Sequence, residues 1–152
     1  MRAFRCTPRG RRAPAHLETV EKIIRRAAGR IERHDADDQS VLMFEDADSG
    51  EMVAVAVLWE RDLETCERAA FAVAHSHQHL RLDDTPDRTP LAMACLQASL
   101  TVAATQGYEQ VVAQVHRNNL RMRRLMDFFS FDEDPMTTLT EDGYTSFVRV
   151  LP

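Results

Sequence analysis

The sequence predicts an α/β domain in which helices pack on the faces of a mixed sheet. Two stretches with helical periodicity, residues 16–31 and 90–106, and a hairpin pattern over residues 41–59 carry this prediction. Helical segments that alternate with short β-branched runs are typical of a sheet covered by helices. The full predicted order of elements is β-α-β-β-β-α-β-α-β-β.

The first half of the chain reads as a strand, a helix and a hairpin. Arg2–Cys6 suits a short strand. We expect this strand to end before Pro8, Gly10 and Pro14. Apolar side chains spaced by three and four residues place a helix over residues 16–31. The runs Val41–Phe44 and Met52–Trp59, joined by an Asp- and Gly-rich turn, predict a β-hairpin.

The middle of the chain contains a fourth strand, Ala69–His75, followed by a charged loop and the best helix signal. Thr89 suits the N-cap of that helix, and Pro90 suits its first position because the missing N–H has no partner there. Gly107 suits the residue after the helix end. The helix is apolar nearly all round, which predicts that it is buried.

The last third of the chain reads as a strand, a short helix and a hairpin. Val111–His116 is a predicted strand, and the pair Asn118-Asn119 marks the turn into the helix. Met136–Thr140 and Tyr144–Leu151 then predict the two strands of a closing hairpin.

Composition limits the classes of function. The 152 residues are 44% hydrophobic, enough for the core of one domain over residues 1–152, with residues 1–14 as a short first strand and flexible arm. The formal charge of −5 argues against a nucleic-acid partner. Cys6, Cys66 and Cys95 form no metal or disulfide spacing, so we expect free thiols in a reducing cytoplasm. No apolar run is long enough to span a membrane, so no membrane partner is expected.

The element order, with a buried helix between the fourth and fifth strands, resembles the GNAT superfamily of acyl-CoA N-acyltransferases. The strand, asparagine and short helix of residues 115–131 match the family pattern, with Phe131 twelve residues after Asn119. Ala70–Val73 looks like the fourth strand of the family. The resemblance covers residues 41–151. It implies a GNAT-like mixed, mostly antiparallel sheet with helices on both faces.

The resemblance also implies acyl-CoA, most simply acetyl-CoA, as a co-substrate. In the family, a helix N-terminus and a Q/R-x-x-G-x-G/A stretch hold the pyrophosphate. The matching stretch here is residues 87–92. Its candidate contacts are Arg88, Thr89, Leu91 and Ala92, and Arg88 would contact a phosphate directly.

The pantetheine arm has its own candidate contacts by the same resemblance. The backbone of Val73, Ala74 and His75, at the end of the fourth strand, would pair with the pantetheine amides. Asn119 would face the arm, or it serves only as a helix cap, a position that asparagine fills without any ligand.

The family reaction is attack of an amine on the thioester, which needs a general base. Glu67, near the start of the fourth strand, and His116, at the end of the fifth, are the candidate catalytic residues. A carboxylate facing a cleft can take a proton, and imidazole titrates near neutral pH. The structural alternatives are a solvated strand-end charge for Glu67 and a hydrogen-bonded structural histidine for His116.

Two departures from the family pattern keep a second function open. Pro90 stands where the family has a glycine and has no N–H to donate, and Met126 stands where a tyrosine is often the acid. The chain is therefore predicted to be either an N-acyltransferase acting on a small-molecule or protein amine, or a catalytically degenerate binding or regulatory module.

Two further features allow more than one interpretation. His75, His77 and His79 would share one face of an extended strand, as a polar strand end, a contact to cofactor or substrate, or a zinc or copper site. No acidic or cysteine ligand completes a metal site, so no metal is predicted. The short helix after Asn119 carries many apolar side chains, which fits either core packing or a homodimer interface.

Overall fold

The computed structural model describes residues 4–9, 39–74, 77–83, 88–134 and 143–152. Its elements are β1 (Phe4–Arg9), β2 (Gln39–Asp46), β3 (Met52–Glu60), β4 (Thr65–Val73), α1 (Leu91–Thr105), β5 (Gln110–His116), α2 (Leu120–Phe128), β6 (Asp132–Glu133) and β7 (Tyr144–Val150). The predicted helix at 16–31 and the predicted strand at 136–140 lie outside the described residues.

Within these ranges the strands form one sheet in the order β1-β2-β3-β4-β5-β7-β6. Every pairing is antiparallel except that of β4 with β5, which is parallel. Parallel neighbours need a crossover connection, and α1 provides it. The predicted fold class, a mixed and mostly antiparallel GNAT-like sheet with helices, is confirmed.

The main core lies between one face of this sheet and the two helices. α1 turns six buried residues towards the sheet: Leu91, Cys95, Leu96, Ser99, Leu100 and Ala103. Met126 of α2 joins the same core. The residues of β3 that face this core, Ala54, Ala56 and Leu58, are also buried. None of the helices in the described ranges is long and apolar enough to cross a bilayer.

The C-terminal end of α1 follows the sequence prediction. Gly107 has φ +93, the left-handed conformation in which a side chain is strained. The N–H of Tyr108 donates to the carbonyl of Ala103, and that of Gly107 to Ala104. These two bonds form a Schellman motif, which satisfies carbonyls that the helix leaves unpaired.

The N-terminal end of α1 corrects the prediction by one residue. Pro90, not Thr89, is the N-cap, and the first helical bond runs from the N–H of Ala94 to its carbonyl. Pro90 has φ −56, the angle that its ring imposes. Pro90 is therefore the residue before the first helical position and not that first position itself. Its fixed φ still suits the start of the helix.

Three strand predictions also needed correction. β1 continues through Pro8 to Arg9, because β1 is the edge strand, where a missing N–H costs no ladder bond. β4 begins at Thr65, four residues earlier than expected. The N–H of His77 donates to the carbonyl of Ala74, and the N–H of Leu80 donates to the carbonyl of His77. His77 and His79 therefore lie in turns and do not continue an extended strand.

Candidate functional site where β4 and β5 part

The parallel strands β4 and β5 are hydrogen-bonded over only part of their length. Thr65, Cys66 and Glu67 pair with Gln110, Val111 and Val112, and the pairing then stops. β4 nevertheless continues to Val73 and β5 to His116. Residues 68–73 of β4 and residues 113–116 of β5 therefore do not pair with each other, and a gap separates their backbone edges.

A β-bulge explains why the strands separate at this point. In the pairing of β3 with β4, Val57 is opposite Ala70 while Leu58 is opposite Arg68, so Ala69 is an extra residue. A bulge bends its strand and increases the local twist. Its position, two residues after the last paired residue Glu67, coincides with the start of the gap.

A cavity of about 540 Å³ lies between α1 and α2. It is bounded by one side of α1 and by the end of α2: Thr89, Pro90, Met93, Ala94, Gln97, Ala98, Thr101, Phe128 and Phe129. Most of these groups are apolar, and Phe128 is 65% exposed. The cavity is large enough for part of an extended ligand that enters beside the N-terminus of α1.

The N-terminus of α1 is tied to the preceding loop. The N–H of Leu91 donates to the carbonyl of Leu80 at 3.0 Å, and the N–H of Leu82 to that of Thr89 at 2.9 Å. The side chain of Leu91 is buried, so only its N–H could contact a phosphate. That contact requires the bond from the Leu91 N–H to the Leu80 carbonyl to open. Ala92 precedes the first residue that donates within the helix, which leaves its N–H pointing out of the helix end.

Arg88 has the backbone conformation that a glycine usually supplies. Its φ is +47, whereas Pro90, at the position of a family glycine, has an ordinary angle. The Arg88 side chain is 68% exposed, and its Nη2 lies 3.4 Å from Asp83 Oδ1. This exposed guanidinium is beside the entrance to α1, where an anion would be attracted.

The end of β4 orients its backbone groups in alternation. The N–H of Ala74 donates to the carbonyl of Val53 at 2.8 Å, so the Ala74 amide faces β3. Alternate residues of a strand direct their backbone groups to opposite edges, and Val73 therefore directs its own towards the gap. His75, the third residue predicted here, lies outside the described residues.

Asn119 caps α2, as one of the two interpretations predicted. Its Oδ1 accepts a hydrogen bond from the N–H of Met122 at 3.2 Å. The residue is exposed, at the turn that follows β5. The cap is confirmed, and the contact with a pantetheine arm stays a prediction.

The two candidate bases are not close together. Glu67 is opposite Val112, and His116 is four residues further along β5, a separation of roughly 13 Å at about 3.3 Å per residue. Glu67 is buried, and its Oε2 accepts hydrogen bonds from Nε of Arg61, at 2.6 Å, and from Nη2. The Arg61 guanidinium thus holds the Glu67 carboxylate beside the end of the paired segment of β4 and β5.

The His116 ring packs against neighbouring residues and accepts a backbone hydrogen bond. Its Nδ1 accepts from the N–H of Asn118 at 3.2 Å, and its ring meets that of Tyr144 edge-on at 5.2 Å. A Cβ on Gly143 would lie 3.1 Å from His116 Nε2, so the backbone approaches the ring closely there. These contacts fit the interpretation of a hydrogen-bonded structural histidine.

Sequence reasoning missed Arg68, the residue directly after Glu67. Arg68 is only 7% exposed, and burial lowers the pKa of its guanidinium to about 10, so it stays charged at neutral pH. Its Nη atoms lie 3.6–3.8 Å from the sulfurs of Met122 and Met126. Starting β4 at Thr65 would have revealed it, because Arg68 then shares the core face with Cys66.

The structure describes the surroundings of two of the thiols and of His77. Cys66 and Cys95 are both fully buried, and burial raises the pKa of the Cys66 thiol to about 12, which keeps it protonated. His77 Nε2 lies 4.0 Å from Glu51 Oε2. In the described part of the chain, no group of three or more potential ligands is placed to hold a metal ion.

Comparison with solved structures places this architecture among acetyltransferases. A GNAT family acetyltransferase from Elizabethkingia anophelis with acetyl-CoA bound has a TM-score of 0.72 and 15% identity, over 97% of this chain and 98% of that one. The ribosomal-protein-S18-alanine N-acetyltransferase of Escherichia coli has a TM-score of 0.73 and 15% identity, over 98% and 94%. A Bacillus subtilis acetyltransferase in complex with CoA has a TM-score of 0.70 and 12% identity, over 99% and 100%.

No protein-family model and no curated protein sequence matches the chain. The likeness is therefore one of architecture, and it extends over nearly the whole chain. In this chain, the shared architecture includes the parallel pair β4 and β5, the crossover helix and the terminal antiparallel strands, because the likeness covers 97–99% of the chain. The chain has the GNAT acetyltransferase fold.

Proposed function

We propose that this chain is an acyl-CoA-dependent N-acyltransferase, with acetyl-CoA as the simplest donor and a small-molecule or protein amine as the acceptor. The observation that carries the proposal is the gap between β4 and β5. The cavity between α1 and α2 lies on the side of the sheet against which these helices pack. An unpaired strand edge can bond the amides of an extended ligand, as strand addition does. The similar E. anophelis structure has acetyl-CoA bound.

The donor would be held by groups on the helix-bearing face of the sheet. Val73 offers backbone groups at the open edge of β4, and Asn119 lies across the gap at the start of α2. The guanidinium of Arg88 and the N–H of Ala92 would contact the diphosphate at the entrance to α1. These residues suit the donor, although Pro90 removes one N–H that the family pattern supplies.

Glu67 is the better placed base of the two candidates. Successive residues of a strand point to opposite faces, so Glu67 faces away from α1 and α2 at the closed end of the gap. An amine arriving on that face would attack the thioester carbonyl carbon. As the C–N bond forms and the C–S bond breaks, Glu67 would take the amine proton, and the thiolate would take a proton from solvent.

A catalytically degenerate binding or regulatory module is the second candidate. Met126, at the position of the family's tyrosine acid, is fully buried and has no proton to donate. Glu67 is also engaged by Arg61, which an acceptor would have to accommodate. A module of this kind would bind the donor at the same site without turnover.

Donor binding is tested by titrating the protein with acetyl-CoA in a calorimeter. We expect binding in the wild type and its loss in Ala98→Trp, because the indole would occupy the cavity between α1 and α2. Leu63→Trp, in the turn between β3 and β4 where the side chain is 88% exposed, is the control and should bind normally. Absence of both heat and thermal shift in the wild type at millimolar acetyl-CoA would contradict the proposal.

The base is tested by acyl transfer to a panel of amines. Glu67→Gln should lower turnover by roughly 10²–10⁴-fold with donor affinity unchanged, because it removes only the proton acceptor. His116→Gln is the comparison variant and should retain turnover. If Glu67→Gln remains fully active, the assignment is wrong. A wild type that binds acetyl-CoA but acylates no amine would instead support the binding module.

A further inference from the structure

Arg68 is a buried cation without an anionic partner in the described part of the chain. Its guanidinium has five N–H donors, yet the only hydrogen-bond acceptors it meets there are the thioether sulfurs of Met122 and Met126. Its Nε has no hydrogen-bond partner among the described residues. The guanidinium also lies 5.7 Å from the ring of Phe71. Buried charges in folded proteins are normally paired, so this one calls for a ligand.

The position of Arg68 shows which part of a ligand it would meet. Arg68 is the first residue of β4 after the last pair with β5, so it stands at the closed end of the gap. It projects to the same face as Cys66, towards α2, which is the face that carries the cavity. A donor that enters beside α1 and runs along β4 from Val73 travels roughly 17 Å to reach Arg68. The part that arrives there is the acyl end.

We propose that Arg68 recognises a carboxylate at the far end of the acyl group, so that the preferred donors are coenzyme A thioesters of dicarboxylic acids. This inference rests on the proposed function, because it names the donor class for the same site. A guanidinium binds a carboxylate through two parallel hydrogen bonds, which matches the orphaned donors of Arg68. Met122 and Met126 have flexible side chains that can move aside to admit the carboxylate.

The donor is favoured over the acceptor as the source of this carboxylate. An amine that reaches Glu67 approaches from the opposite face of the sheet, whereas Arg68 projects towards α2. A carboxylate on the acceptor would therefore have to pass through the gap that the thioester fills. The exposed Arg61, beside Glu67, is the cation that such an acceptor would meet first.

The test compares donors that differ only in the terminal carboxylate. The full chain is titrated calorimetrically, without an amine, with malonyl-CoA against propionyl-CoA and with succinyl-CoA against butyryl-CoA. Acetyl-CoA and free coenzyme A are the references. The variants are Arg68→Met, Arg68→Lys and Arg149→Met, the last removing an arginine on β7, outside the site. Thermal melting of each variant verifies that it is folded.

The wild type should bind the carboxylated member of at least one pair more tightly, by roughly tenfold to a hundredfold for a charge-assisted hydrogen-bond pair. Arg68→Met should abolish this preference and leave acetyl-CoA binding intact, and Arg68→Lys should retain part of it. Arg149→Met should behave like the wild type.

Two results would overturn the inference and leave the proposed function standing: equal affinities within both pairs in the wild type, or a preference that survives in Arg68→Met. The first would point to a role for Arg68 towards the thioester itself. If the wild type binds neither free coenzyme A nor any thioester, the proposed function fails and this inference fails with it.

Discussion

At the scale of single residues, Glu67 and Arg68 place opposite charges on opposite faces of the sheet at the point where two strands separate. The Glu67 carboxylate is matched by the guanidinium of Arg61, which is 41% exposed. The Arg68 guanidinium, by contrast, contacts only thioethers and a ring within the described residues. Folding therefore desolvates the Arg68 charge, and no carboxylate of the described ranges is paired with it.

Replacing Arg68 with methionine is expected to stabilise the ligand-free protein. The change removes an unsatisfied buried donor and a desolvated charge, and it leaves an apolar side chain among Met122, Met126 and Phe71. Each buried unsatisfied group costs about 1–3 kcal/mol, so we expect the free energy of unfolding to rise by about that amount. Denaturant unfolding monitored by circular dichroism measures it.

Arg68→Lys is the control for this prediction, because it keeps a buried cation and should bring no such gain. A fall in stability of more than about 1 kcal/mol in Arg68→Met would mean that the arginine packs as a structural residue. A gain would instead indicate that the charge is kept for function at the expense of stability.

At the scale of elements, sequence signals predicted those parts of the fold that depend on neighbouring residues. The end of α1 at Gly107 and the cap at Asn119 were both predicted, because each depends on the conformational freedom or side-chain oxygen of one residue. The hairpin of β2 and β3 was also predicted, since its turn and its alternating runs are contiguous.

The elements that sequence reasoning misplaced depend on distant partners. The charged start of β4 is extended because β3 and β5 pair with it on both sides and because Arg61 holds Glu67. The pair Asp132–Glu133 becomes a short strand because β7 offers it an edge, and neither residue has strand propensity. The bulge at Ala69, which positions the whole site, has no local signature in the sequence.

At the scale of the whole molecule, the site is an interruption in the pairing of β4 with β5, and the neighbouring strands keep it open. β4 is held along its other edge by β3, and β5 along its other edge by β7, so the gap between β4 and β5 stays open while both strands remain in the sheet. The crossover helix α1 packs against β3, β1 and β4 on one face of the sheet, and its N-terminus follows the end of β4 that borders the gap. No single residue creates this arrangement.

Hydrogen exchange should therefore report the gap directly. In the free protein, we expect amides of segments 68–74 and 113–116 that face the gap to exchange quickly, because no strand pairs with them. Saturating acetyl-CoA should slow this exchange, since the donor supplies hydrogen-bond partners to the open edge. Mass spectrometry of peptides at short labelling times measures the change. The matched control is the paired strands of the β2–β3 hairpin, residues 42–45 and 52–58, without the turn between them.

Short labelling times matter because any ligand stabilises the whole native state and slows exchange that requires global unfolding. Protection confined to the two segments of the gap would locate the donor between β4 and β5. Equal slowing of the hairpin and the gap would mean that the ligand binds elsewhere on the fold. Unchanged exchange in the gap, with heat of binding in the calorimeter, would exclude pairing between the donor and the open strand edge.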